Sequence, residues 1–390
     1  MELFQVGNAY VPASRLAALQ LGDVLTGTVD PASLGLTLPA GVRWLKCAPP
    51  PVGGVFVLGA TKPSAANTGI ASLGLKRSDL TAVSASAFVP VTGATYRGLN
   101  FVGGRITPPA GVTNVTFIGC YFGGGSDNSS AQVMLTGATK WGWTFLQCTF
   151  KPDPQSNGQG YVECDNIDGH DYAVIRCDLS GGTDGLGVFN TYAKTDPLNV
   201  SMLGSYWHDF CFANNDPSHL SDATNPGWSH NDGMQIQGGS GVLVQGNNFQ
   251  VYLDPITSIG YLTSPNQYAA ISYRNWGCGV TVSPNVSPVY GITVTQNWFN
   301  GGGANFQMNS SQYSGGPSDI GEISLNRFGV DQYAYGGTSR YQIRFNQGLT
   351  FERLTTNVFD PNDPGCVAAG IAGNTFAEGK TTGIRINGID

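Results

Sequence analysis

Phe145-Leu146-Gln147-Cys148-Thr149-Phe150 is the phrase whose reading decides the fold: an apolar residue, two others, a small polar slot, any residue, then an aromatic or leucine. It stands one step earlier as Phe117-Ile118-Gly119-Cys120-Tyr121-Phe122. It returns as Val174-Ile175-Arg176-Cys177-Asp178-Leu179 and Met202-Leu203-Gly204-Ser205-Tyr206-Trp207. Later copies place asparagine in the slot: Asn247 before Phe249, Asn297 before Phe299, Asn326 before Phe328, Asn357 before Phe359 and Asn374 before Phe376. Their leading apolar residues are Val244, Val294, Ile323, Leu354 and Ile371. Most steps between slots take 28 to 31 residues; Ser205 to Asn247 takes 42, Asn247 to Asn297 takes 50, and the last is short.

Such a period is too long for a hairpin and suits one coil of three short strands with bends between them. A single coil cannot bury its inner face alone, so neighbours stack at the interstrand spacing of roughly 4.8 Å. Equivalent positions then lie above one another. An asparagine at a bend bonds to backbone groups and to the asparagine of the next coil, and the aromatic two positions later stacks inside.

Composition agrees. Only 12% of the 390 residues are charged, about half the roughly 25% of an ordinary soluble domain, which leaves little material for the polar face of amphipathic helices. With 55 glycines and 41% hydrophobic residues, the chain reads as all-β with a sizeable core. A net charge of −7 and a pI near 5.0 exclude the basic footprint of a nucleic-acid binder. No apolar run is long enough for a membrane-spanning helix, so no membrane insertion is expected. Met1–Gln20 lacks a basic start and an unbroken apolar stretch, so no signal peptide is expected. The eight cysteines include no C-x-x-C pair that would suggest zinc or redox chemistry.

The slot spacing, its asparagines and the aromatic that follows resemble right-handed parallel β-helix proteins of the pectin-lyase-like type, over residues 20 to 385. In character the chain is most similar to tail spikes and minor tail proteins of tailed phages. The resemblance implies an all-β, right-handed parallel β-helix of three-strand coils with a short N-terminal capping helix. Residues 1–20 would be a tail and that helix, with Ser14 capping Arg15–Gln20. Residues 21–390 would be the coils, opening with Leu21–Leu25 and closing with Gly383–Ile386. Residues 47–69 read as loops. The resemblance further implies a virion tail location, a homotrimer, other tail proteins as partners and a host polysaccharide as ligand. It leaves two alternatives open, a free-standing polysaccharide lyase or glycoside hydrolase, and a purely structural tail component. Cys120, Cys148 and Cys177 share one slot; disulfide reach is about 4.4–6.8 Å, but they read as buried thiols filling small apolar space.

The two stretched steps mark insertions near 206–230 and 250–290, which in a solenoid project from one face and form binding surface. Three of the four histidines, His208, His219 and His230, fall in the first, with Trp207, Asp209, Asp222 and Trp228. The second holds Tyr252, Asp254, Tyr261, Tyr268, Tyr273, Arg274 and Trp276. Beside them, Asp232-Gly233 echoes Asp184-Gly185, which aligns the two acids on adjacent coils; Glu163 is a third acid on the coil before. Glycoside hydrolysis needs two carboxyl groups about 5–9.5 Å apart, and crowding keeps one protonated beside an ionised neighbour. Asp184, Asp232 and Glu163 are therefore the candidate catalytic acids, with His230 as a helper general acid or a hydroxyl partner. The competing reading is a turn dipeptide whose Asp bonds to a backbone amide at a coil corner. Trp207, His208, Trp228, Gln235, Gln237, Tyr273, Arg274 and Trp276 are the candidate sugar contacts. No cofactor or metal is assigned; for Ca²⁺ the local candidate is Asp165, Asp168 and Asp171. A lyase would need a base such as Arg274 or Arg344, though neither sits in a recognisable motif. The sequons at Asn114 and Asn199 lie in strand-like phrases and carry no meaning.

Overall fold

The computed structural model describes residues 56–127, 130–191, 197–222, 226–254, 256–259, 277–308, 321–331, 341–345 and 353–375. It also describes Thr37 and the short strands Leu3–Val6, Ala9–Pro12, Val24–Gly27, Arg43–Lys46 and Arg385–Ile386.

Successive short strands pair with the strand one coil away rather than with their sequence neighbours, which produces three long sheets of eight, nine and ten strands. One coil runs Tyr172–Ile175, Asp178–Leu179 and Leu186–Val188; the next runs Pro197–Leu203, Tyr206–Trp207 and Met234–Ile236. The registers are parallel and in phase, Val174 on Met202, Leu179 on Trp207 and Leu186 on Met234. This is a right-handed parallel β-helix, the hand that parallel crossovers take almost without exception.

The slot residues stack as the period requires. Ser205 N–H donates to Asn247 Oδ1 at 2.8 Å, Asn247 N–H to Asn297 Oδ1 at 2.9 Å, Asn297 N–H to Asn326 Oδ1 at 2.9 Å and Asn326 N–H to Asn357 Oδ1 at 3.1 Å. Each asparagine amide also donates inward to a backbone carbonyl, Asn297 Nδ2 to Val244 O at 2.9 Å for example. On the earlier coils smaller groups do the same, with Cys148 N–H reaching Cys177 Sγ at 3.4 Å and Cys177 N–H reaching Ser205 Oγ at 3.0 Å. Cys120, Cys148 and Cys177 are free thiols. The residue before each slot turns the chain through the left-handed region, and it is not always glycine: Gln147, Arg176, Gln296, Leu325 and Thr356 all have φ between 50° and 59°. An L-residue there costs about 1–2 kcal/mol; the buried ladder that it makes possible offsets this. Inside, Phe122 stacks on Phe150 at 4.3 Å, Phe117 on Phe145 at 5.4 Å, and Phe249 on Phe299 at 5.0 Å.

Several details differ from the sequence reading. The phrase at Asn374 does not begin another parallel coil: Val358 bridges Thr375 antiparallel, so the ladder ends at Asn357. Arg385–Ile386 is a last strand, but it joins Tyr341–Phe345 antiparallel. Residues 56–75 are more than loops. They lie along the outside of the ladder corner, where Gly69 N–H donates to Arg176 O at 2.8 Å, Gln147 Nε2 to Ser72 Oγ at 3.0 Å, and the Arg176 guanidinium covers the Phe56 ring at 4.5 Å. Near the start, Leu3–Val6 pairs antiparallel with Ala9–Pro12 and Val24–Gly27, which pairs with Arg43–Lys46 in a separate four-stranded sheet. The expected capping helix over Arg15–Gln20 lies outside the described residues, as does Phe376.

Candidate functional site

At the corner leading into the eight-stranded sheet, aspartates make a second ladder. Asp165 Oδ1 accepts from Asp184 N–H at 3.1 Å, Asp184 Oδ1 from Asp232 N–H at 2.7 Å, and Asp232 Oδ1 from Cys278 N–H at 2.6 Å. Asp184 and Asp232 thus occupy equivalent positions on adjacent coils, and their carboxyls hold the amide of the coil above. The glycine after each is there for close approach. A Cβ on Gly185 would stand 2.2 Å from Gly233 O, and one on Gly233 would stand 2.5 Å from Gly279 O.

These carboxyls belong to a wider acidic group. Asp165 and Asp168 act on each other's proton affinity, as Glu163 and Asp216 do, and Glu163 accepts from the Ser218 hydroxyl. Burial pushes Asp165 up to about 7 and Asp232 up to about 6. Burial, and then the charges of neighbouring aspartates, raise Asp168 and Asp184 well above the usual carboxylate range. Glu163 is raised by burial and by Asp216, yet it keeps part of its surface in solvent. Taking like charges out of water favours the neutral carboxyl, so protonated and ionised members coexist near neutral pH. That combination is what acid–base chemistry on a glycosidic bond requires.

The first insertion packs against this group. It is rooted by buried Phe210, Cys211 and Phe212, with Phe210 bridging Leu253 and Asn231 Nδ2 donating to Thr183 O and Cys211 O at 2.7 Å each. Asp216 caps the short turn Pro217–His219, accepting from Ser218 N–H at 2.9 Å, and so brings Ser218 to Glu163. His219 and His230 stack at 3.9 Å and share Asp222. Burial, then the adjacent His219, lowers His230 to about 4, so its ring is neutral at physiological pH.

The remaining candidates scatter. Trp207 is a core residue, 1% exposed and stacked on Phe210, so it has no face for a sugar. His208 is held between Asp178 at 2.9 Å and Asp209 at 2.7 Å. Burial opposes its charge, but these two bonds outweigh it and push the imidazole up to about 9. Trp228 is half-buried, edge-on to Phe212. Gln235 and Gln237 lie half-exposed beside each other, joined at 2.6 Å. Tyr273, Arg274 and Trp276 fall outside the described residues, as does the side chain of Arg344. Asp165, Asp168 and Asp171 do not converge as a calcium site would need. Asp171 faces His170 at 2.8 Å and Asn199 at 2.8 Å, while Asp165 accepts from Asp184 N–H at 3.1 Å. The sequence reading missed Asp216 altogether and gave Asp165 and Asp168 only a calcium role. The Asp165 and Asp184 relation is visible only as a spacing of 19, below the usual period because this coil has only short connections between its strands.

No family model matches the chain, and no curated protein resembles it significantly. Among solved structures it is similar to variants of the tailspike protein of E. coli bacteriophage HK620 in complex with pentasaccharide. One shows 12% identity and a TM-score of 0.35, covering 70% of this chain and 42% of the tailspike. A second shows 12% and 0.36 over 72% and 45%, and a double mutant 13% and 0.36 over the same shares. The chain thus spans less than half the length of these tailspikes. The likeness is one of fold.

Proposed function

We propose that this chain is a phage tail-associated β-helix protein that binds host cell-surface polysaccharide and cleaves it at the carboxyl group cluster beside the first insertion. One observation carries the reading: Asp165, Asp184 and Asp232 line up on successive coils, with the partly exposed Glu163 beside Asp165, and burial raises the proton affinity of all four. Perturbed groups of this kind concentrate where proton transfer is needed. Glu163, raised and partly exposed, is assigned the proton donor to the leaving oxygen; Asp232 is assigned the charge that assists it, and Asp184, held neutral between its aspartate neighbours, is assigned to position Asp232 through its backbone amide. Gln235, Gln237 and Trp228 are assigned sugar contacts. In this reading the protein assembles as a homotrimer with other tail proteins on the virion.

A second reading has its own observation. Asp184 and Asp232 bond to the amide of the next coil, which suits a purely structural corner. A bacterial glycan array followed by product analysis separates the two. A hydrolase releases reducing ends; a lyase also leaves an ultraviolet-absorbing unsaturated end. Glu163→Gln, Asp184→Asn and Asp232→Asn should abolish turnover and keep binding. If the parent neither binds nor cleaves any glycan, and the aspartate variants change only the melting temperature, the structural reading replaces ours.

A further inference from the structure

The first insertion gathers a constellation that glycan cleavage does not use. His219 Nδ1 stands 3.4 Å, and His230 Nε2 3.0 Å, from the same carboxylate oxygen, Oδ2 of Asp222. Ligand atoms of the three residues all lie within 4.8 Å of one another. Among the described residues this is the one group of three ligating side chains so gathered. With metal–nitrogen and metal–oxygen bonds of about 2.0–2.2 Å, a tetrahedral zinc site holds its donor atoms about 3.3 Å apart. The two measured separations bracket that value.

We propose that His219, Asp222 and His230 bind a divalent transition-metal ion of the zinc class. Two imidazole nitrogens with one carboxylate suit a borderline ion, whereas calcium and magnesium take all-oxygen shells. An acidic side chain also adjoins the turn, since the hydroxyl of Ser218, next to His219, donates to Glu163. The side chains of all three residues keep between 25% and 36% of their surface exposed, which leaves an entry path and room for a further ligand such as water. The ion would tie the Pro217–His219 turn to His230, two residues before Asp232, and so fix the insertion over Glu163.

The test uses the full chain, stripped with a chelator, and no glycan, so it stands or falls apart from the reading above. Co²⁺ is titrated in and its visible absorption recorded, then Zn²⁺ is added in competition. A single saturable site is expected, with Zn²⁺ displacing Co²⁺ and neither Ca²⁺ nor Mg²⁺ doing so. His219→Ala, His230→Ala and Asp222→Asn should each weaken Zn²⁺ roughly tenfold or more, while His208→Gln should leave it unchanged. Zn²⁺ should raise the melting temperature of the parent and of His208→Gln only. No saturable Co²⁺ band in the parent would overturn the proposal, whatever the variants do. Parent-like affinity in all three variants would overturn it equally, leaving two imidazoles that merely share a carboxylate.

Discussion

Asn297 is the rung on which the coil geometry can be tested most directly. Its side chain makes four hydrogen bonds: Oδ1 accepts from Asn247 N–H at 2.9 Å and Asn247 Nδ2 at 3.0 Å, and Nδ2 donates to Val244 O at 2.9 Å and Asn326 Oδ1 at 3.0 Å. Asn297 is wholly buried, so Asn297→Ala strands the Asn247 amide N–H, one side-chain N–H of Asn247 and the Val244 carbonyl without water to replace the partner. At about 1–3 kcal/mol for each stranded group, the loss centres on roughly 6 kcal/mol. Asn297→Ser should cost about half of that, because a hydroxyl in this slot still accepts from the coil below, as Ser205 does from Cys177 N–H. Cys177→Ala should cost only about 1 kcal/mol, since a thiol at 3.4 Å is a weak acceptor. Urea unfolding followed by circular dichroism orders the three, and hydrogen exchange at the Asn247 amide reads the local opening. An Asn297→Ala loss below about 1 kcal/mol, or one equal to that of Cys177→Ala, would refute the ladder as a source of stability.

Other outcomes follow from the charged groups and the tight corner. Asp165 and Asp232 bind protons more strongly folded than unfolded, so the native state holds more protons between about pH 4 and 7 and stability falls as pH rises through that window. Asp165→Asn, which keeps an acceptor for Asp184 N–H, should flatten that slope in thermal melts; an unchanged slope would clear Asp165 of the effect. His208 behaves in the opposite range: its raised proton affinity stabilises fully below about 6.5 and is lost as pH rises through about 9. His208→Gln should remove that alkaline decline and cost about 3 kcal/mol at pH 7, because Asp178 loses its buried partner. Gly185→Ala should destabilise by about 3 kcal/mol or more through overpacking against Gly233 O; a melting temperature within error of the parent would contradict the close approach of these coils.

Much of the fold could be read because a solenoid writes its contacts into its period. Every coil meets the same neighbour in the same register, so Cys148, Asn297 and Asn326 announced their common corner by spacing alone. The two stretched steps likewise marked where the period is interrupted, and the repeated Asp-Gly aligned Asp184 with Asp232. Periodicity says nothing, however, about an edge that folds back. Asn374 carries the same phrase as Asn357, yet the chain before it has no room for a full coil and returns antiparallel to Val358. Nor does it say which face a residue takes inside an insertion, and Trp207, aligned with Leu179, follows the coil inward instead of the loop outward.

By itself, then, the order of residues determined the coil: one asparagine or thiol and one aromatic per turn can be satisfied only by copies of themselves stacked above and below. The site was decided at a different level. Glu163, Asp216, His219, Asp222 and His230 come from one coil and from a loop that crosses back over it, and no repeat relates them. The proton affinities of Glu163 and His230 depend on which groups lose water together, and that is a property of three-dimensional proximity alone.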